Sequence, residues 1–137
     1  MSQVIDQLKD GLVVSCYADN AINEYLDDPV VMAAVARSCE AGGAVAIRTN
    51  LEHVKEIKKR VSIPVIGIKK IYETGDVKDA EFRITPTLNE VELLIEAGAD
   101  AIAIDGTRRS RFDHLTLEDF IKEIKSRWTV PVIADIS

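Results

Sequence analysis

Five polar side chains stand at the ends of short apolar runs. Tyr17 follows Leu12-Val-Val-Ser-Cys16, Arg48 follows Ala44-Val-Ala-Ile47, and Lys70 follows Pro64-Val-Ile-Gly-Ile68 by two positions. Asp105 follows Ala101-Ile-Ala-Ile104, and Asp135 interrupts Pro131-Val-Ile-Ala-Asp-Ile136. A lysine in a partly desolvated setting can have its amine drawn towards neutrality and then take up or return a proton. A guanidinium presents a fork of donors suited to hydroxyl or carbonyl oxygen. Each residue also has a plainer reading. Lys70 could be a solvated strand-end lysine, Arg48 an ion-pair partner of a helix, and Asp105 the cap of its own loop. Asp135 lies close to Ser137, where fraying is expected.

The elements that must position these groups announce themselves by repetition. Glu56-Ile-Lys-Lys-Arg-Val-Ser-Ile-Pro-Val-Ile66 returns as Glu123-Ile-Lys-Ser-Arg-Trp-Thr-Val-Pro-Val-Ile133. Glu40-Ala-Gly-Gly-Ala-Val-Ala-Ile47 returns as Glu96-Ala-Gly-Ala-Asp-Ala-Ile-Ala-Ile104. Each is the exit of an amphipathic helix leading into a buried strand, the signature of a parallel sheet covered by helices. Asp28 before Pro29 predicts a capped helix start, with Gly42-Gly43 ending that helix. Asn50 is predicted to cap a helix carrying Leu51, Val54, Ile57 and Val61. Thr87 with Glu90, and Thr116 with Asp119, predict two further helix starts. Residues 71 to 82 read as a loop longer than usual, and long loops in compact domains tend to be functional.

Five strands and four helices therefore alternate, with no linker to divide residues 1–137, so the expectation is one domain. An open doubly wound sheet and a (β/α)8 TIM barrel both fit. The barrel is favoured because its strand ends converge on one mouth, where the polar residues above would meet. With five strands of eight, the expected fold is an incomplete barrel, slightly more than half, with two open edges.

Composition narrows the function. Lys and Arg number 17 against 23 Asp and Glu, a net charge of −6. That balance argues against a nucleic-acid partner, which calls for a basic face. No apolar stretch is long enough to span a membrane, and the N-terminal residues do not read as a signal peptide. Cys16 and Cys39, without CxxC spacing, read as two reduced thiols in a cytoplasmic protein. His53 and His114 read as surface residues, and no cluster has metal-ligand spacing.

Six segments in order carry a resemblance: Gly11-Leu-Val-Val-Ser-Cys-Tyr-Ala18, Gly42-Gly-Ala-Val-Ala-Ile-Arg-Thr-Asn50, Pro64-Val-Ile-Gly-Ile-Lys-Lys70, Arg83-Ile-Thr-Pro-Thr87, Ala97-Gly-Ala-Asp-Ala-Ile-Ala-Ile-Asp-Gly-Thr107 and Ala134-Asp-Ile-Ser137. Together they resemble the bacterial N-acetylmannosamine-6-phosphate 2-epimerases, cofactor-free TIM-barrel isomerases of sialic-acid and amino-sugar catabolism. The resemblance implies interconversion of N-acetylmannosamine 6-phosphate and N-acetylglucosamine 6-phosphate by deprotonation and reprotonation at C2. It implies Lys70 as the catalytic lysine and Tyr17, Arg48, Asp105 and Asp135 as substrate-binding residues. Lys69, one step away on a strand, is expected to face the opposite side.

The family commonly carries Gln where Tyr17 stands and Arg where Ile71 stands. Its catalytic glutamate and phosphate-gripping loops belong to later units of the barrel, so little or no turnover is expected from these 137 residues alone. A second reading is a catalytically inactive half-barrel that associates with itself or a partner, with a homodimer as one form. A third is another sugar-phosphate barrel, a decarboxylase or a synthase of the ribulose-phosphate-binding group.

Overall fold

The structure is a computed structural model that describes residues 2–19, 23–73 and 81–136. Residues 74–80 of the predicted long loop, and Ser137, lie outside the described residues. In chain order the elements are α1 (Gln3–Leu8), β1 (Val13–Ser15), a 3-10 turn (Glu24–Leu26), α2 (Pro29–Ala41), β2 (Ala46–Asn50), α3 (Leu51–Lys58) and β3 (Val65–Ile68). There follow β4 (Lys70–Tyr72), β5 (Phe82–Ile84), α4 (Leu88–Glu96), β6 (Ala101–Asp105), α5 (Leu117–Arg127) and β7 (Val132–Asp135). A five-stranded sheet runs β1-β2-β3-β6-β7, every neighbouring pair parallel. This is the half-barrel expected from the repeats.

Local chemistry starts the helices where the sequence placed them. The Asp28 carboxylate accepts from the N–H groups of Val30 and Val31 at 2.8 and 3.0 Å. Glu90 reaches back to the Thr87 N–H at 3.0 Å, and Thr116 Oγ1 accepts from the Asp119 N–H at 3.1 Å. These bonds satisfy amides that the first helical turn leaves without partners. Asn50 is a correction. It occupies the N-cap position of α3 but makes no side-chain cap bond there, its Nδ2 donating instead to Glu52 Oε2 at 2.9 Å.

Alternation along the strands sorts side chains into two layers. The outward layer (Val14, Cys16, Ile47, Val65, Ile102, Ile104 and Val132) packs against Met32 and Ala36 of α2, Val54 and Ile57 of α3, Val91 and Leu94 of α4, and Phe120 and Ile124 of α5. Gly67 lets α4 approach β3 closely, since a Cβ there would lie 2.7 Å from Leu94 Cδ2. The inward layer (Ala46, Ile66, Ile68, Ala101, Ala103 and Ile133) is made of smaller side chains. Val4 and Leu8 of α1 pack against it, so this helix, not foreseen from sequence, covers part of the concave face. Burying each large aliphatic side chain contributes about 1.5–3 kcal/mol. The outer edges are barer: Leu12 beside β1 is 68% exposed and Ile136 beyond β7 is 75% exposed.

Two further findings depart from the sequence reading. The predicted loop after the third strand begins and ends as an antiparallel ribbon, with Lys70 opposite Ile84, Ile71 opposite Arg83 and Tyr72 opposite Phe82. Three-residue strands are too short to show a period of two, which is why they read as loop. His53 is fully buried, not a surface residue. Its Nε2 stands 3.0 Å from Asp27 Oδ1 without the alignment of a hydrogen bond. Among the described residues, no helix is long and apolar enough to cross a membrane.

Candidate active site

The inward register of the strands carries on to their last residues and, after β1 and β3, just beyond them, and that register builds the site. Arg48 follows Ala46 by two residues on β2, Lys70 follows Ile68, Asp105 follows Ala103 and Asp135 follows Ile133, so all four share the inward face. Tyr17, two residues beyond β1, also packs with the inward layer. The Arg48 guanidinium donates to the Asp135 carboxylate across the sheet. That pair spans from β2 to β7, which only a strongly curled sheet permits.

Lys70 occupies an aromatic setting. Its Nζ lies 4.1 Å from the centroid of the Tyr17 ring and 4.5 Å from that of Phe82. Ring faces carry negative quadrupole density and attract a cation. Tyr72 meets Phe82 edge-on, with centroids 6.0 Å apart and an interplanar angle of 61°. Burial lowers the Lys70 amine from its ordinary value of 10.5. The Asp19 carboxylate opposes that shift, the Arg48 charge adds to it, and Asp135 opposes it. The net direction is down, towards an amine that can act as a base.

Lys69 behaves as the strand alternation requires. Its Nζ turns away from the aromatic group and pairs with Glu52. The backbone between the two lysines is pinned by Thr85, whose N–H donates to the Lys69 carbonyl at 2.7 Å and whose Oγ1 accepts from the Lys69 N–H at 3.1 Å. Thr85 is fully buried and has φ of 47°, in the left-handed region that a β-branched residue rarely enters. The only hint in the sequence was its place in Arg83-Ile-Thr-Pro-Thr87. Strain at a residue that fixes the backbone beside Lys70 fits a functional position.

The Asp105 carboxylate caps its own loop. Its Oδ1 accepts from the Thr107 N–H and hydroxyl at 2.9 and 2.6 Å, and its Oδ2 accepts from Arg109 Nη2 at 2.5 Å. Burial would raise this carboxyl, but the Thr107 bonds and the Arg109 charge outweigh it and hold it below its ordinary value. Arg111 was missed as a structural residue. It is buried, stacks 3.7 Å from the Phe120 centroid, and donates to the Pro86 carbonyl at 2.5 Å and the Asp105 carbonyl at 3.3 Å. It joins the loop after β6 to the turn before α4. Among the described residues, no group of three or more His, Cys, Asp or Glu side chains gathers in a way that could hold a metal ion.

Comparison with known proteins gives a consistent result. Residues 32–137 match the family described as "Putative N-acetylmannosamine-6-phosphate epimerase". The chain is 49% identical over 137 residues to a "Putative N-acetylmannosamine-6-phosphate 2-epimerase" of Caldanaerobacter subterraneus subsp. tengcongensis, covering 98% of this chain and 55% of that protein. A protein of the same description from Cutibacterium acnes is 44% identical over 134 residues, covering 97% and 55%. Among solved structures, the N-acetylmannosamine-6-phosphate 2-epimerase of Clostridium perfringens superposes with a TM-score of 0.83 at 33% identity, covering 99% of this chain and 57% of that one. The chain thus spans about half the length of the curated relatives it matches.

Proposed function

Because the chain belongs to the N-acetylmannosamine-6-phosphate epimerase family, we propose that its rim of strand ends forms part of the active site of an isomerase that interconverts N-acetylmannosamine 6-phosphate and N-acetylglucosamine 6-phosphate. C2 of the opened sugar lies next to the aldehyde carbon, so loss of its proton gives an enolate that reprotonation from the other face converts to the epimer. Lys70 supplies the amine that exchanges this proton. Its lowered pKa increases the unprotonated fraction available near neutral pH. Arg48 directs its guanidinium to the oxygen on which negative charge develops. Asp135 holds Arg48 in place and takes a sugar hydroxyl, and Tyr17 forms a wall of the pocket. Asp105 acts one step removed, by holding the loop that carries Thr107 and Arg109.

The single observation that supports this reading best is the convergence of Lys70 Nζ, the Tyr17 ring and the Arg48–Asp135 pair at one rim. In the same reading residues 1–137 form one domain of a cytoplasmic protein, acting on a phosphorylated N-acetyl amino sugar without a nucleic-acid partner. A homodimer would cover the exposed apolar edges beside β1 and β7. The chemical test is proton exchange. An epimerase containing these residues, given N-acetylmannosamine 6-phosphate in deuterated water, is expected to introduce deuterium at C2, and the Lys70→Met variant is expected not to. Undiminished exchange in that variant refutes the assignment.

A further inference from the structure

Asp19 received no role from the sequence, yet two long side chains end on one of its oxygens. The Tyr17 hydroxyl donates to Asp19 Oδ2 at 2.6 Å, and the Tyr72 hydroxyl donates to the same atom at 2.9 Å. Tyr72 is 53 residues away and belongs to the β4–β5 ribbon, whereas Tyr17 and Asp19 belong to the exit of β1. Both arms of this bridge lead to the same amine. One runs from Asp19 through Tyr17 to Lys70, whose Nζ is 4.1 Å from the ring centroid. The other runs through Tyr72 and the edge-on contact with Phe82, whose centroid is 4.5 Å from Nζ.

We infer that Asp19 is a positioning residue for Lys70: by joining the hydroxyls of Tyr17 and Tyr72 it fixes the aromatic wall against which the lysine amine stands. The inference rests on reading Lys70 as the base. Burial first, and then the Asp19 carboxylate, push the phenols of Tyr17 and Tyr72 up, so both stay protonated and keep donating. A carboxylate that accepts two such donors is the strong form of the bond. The two hydroxyls also bond to each other; without Asp19 that contact alone would tie the exit of β1 to the ribbon that begins at Lys70, and the ammonium would sample solvent between the rings.

The experiment reads the rings at the lysine itself. In the full chain, the ε-methylene protons of Lys70 lie beside two aromatic faces and are expected to resonate upfield of the other lysines, assigned by their loss in Lys70→Arg. Asp19→Ala is expected to remove most of that displacement, while Asp19→Asn, which keeps an acceptor oxygen, retains it. Tyr72→Phe, a change of one hydroxyl, is expected to reduce it and serves in place of Asp19→Ala if that variant does not fold. Core methyl signals of Ile68 and Ile102 report that the fold is intact. A folded Asp19→Ala or Tyr72→Phe protein with an unmoved Lys70 signal overturns the inference. Failure of Lys70 as the base would show instead as C2 exchange that survives Lys70→Met, while the Lys70 displacement in the unsubstituted chain and its loss in Asp19→Ala stand.

Discussion

Arg48 and Asp135, 87 residues apart in the chain, meet as an ion pair above the inward face of the sheet. Their side chains are 25% and 36% exposed, so the pair is partly screened and contributes on the order of 0–1 kcal/mol to stability. Its consequence is electrostatic. Lys70 senses both members, the guanidinium lowering its pKa and the carboxylate raising it.

The two halves of that pair therefore shift Lys70 in opposite directions. Asp135→Asn removes a charge that favours the ammonium, so the Lys70 amine is expected to titrate lower than in the wild type. Arg48→Met removes a charge that disfavours it, and the amine is expected to titrate higher. Site-resolved amine labelling as a function of pH reads both, and equal shifts in one direction would refute this account of the rim.

Replacing Lys70 separates activity from stability. In an active epimerase containing these residues, Lys70→Met is expected to lower turnover by roughly 10²–10⁴-fold, the usual scale for a lost acid–base group. Stability is expected to move the other way. The folded pKa lies below the unfolded value of 10.5, so the fold disfavours the charged amine at neutral pH, and this penalty fades as pH rises through the folded pKa. Urea denaturation at neutral pH should show Lys70→Met to be the more stable protein, with the difference narrowing at high pH.

Glu40 ties the end of α2 to the turn before β3. Its Oε1 accepts from the Ser62 hydroxyl and N–H at 2.5 and 2.8 Å. The Ser62 hydroxyl and then its N–H, with Arg37 assisting, hold this carboxyl at about 2 against an ordinary 4.5. A depressed carboxylate stabilises the fold above pH 4.5 and loses that contribution as pH falls towards 2. Glu40→Gln is expected to cost about 1 kcal/mol at neutral pH after allowance for solvent screening. The deficit should vanish at acid pH, as measured by denaturation at several pH values.

His53 is a core residue. His53→Ala is expected to cost about 2–4 kcal/mol through the cavity it leaves, while His53→Leu should stay within about 1.5 kcal/mol. Neither should alter C2 exchange in an active epimerase that remains folded. Loss of exchange in a stable His53→Leu protein would give this histidine a chemical role.

Arg111 is the residue whose loss should damage the rim from behind. Arg111→Met keeps the stem over Phe120 but leaves the Pro86 and Asp105 carbonyls without their donor. A cost of about 3 kcal/mol is expected from buried acceptors left unmatched, read from the urea midpoint.

The sequence by itself determined those features whose physics closes within one helical turn or one strand. Asp28 and Thr116 start their helices because a side-chain oxygen reaches an amide two or three residues on, and Thr87 because the Glu90 carboxylate reaches back to its N–H. The parallel order of β1, β2, β3, β6 and β7 was legible because covered strands are apolar on both faces and the echo repeats them. Lys70 and Asp135 could be placed at strand ends for the same reason, whereas β2 runs two residues past Arg48. Only the tertiary structure decided what depends on curvature and on partners far along the chain. It turned Asp105 into its own loop, buried His53 against the segment carrying Asp27, and laid α1 on the concave face. It also brought Tyr72 to Asp19, and the rings of Tyr17 and Phe82 to Lys70, because three-residue strands carry no periodic signal and a carboxylate does not reveal in sequence which hydroxyls will reach it.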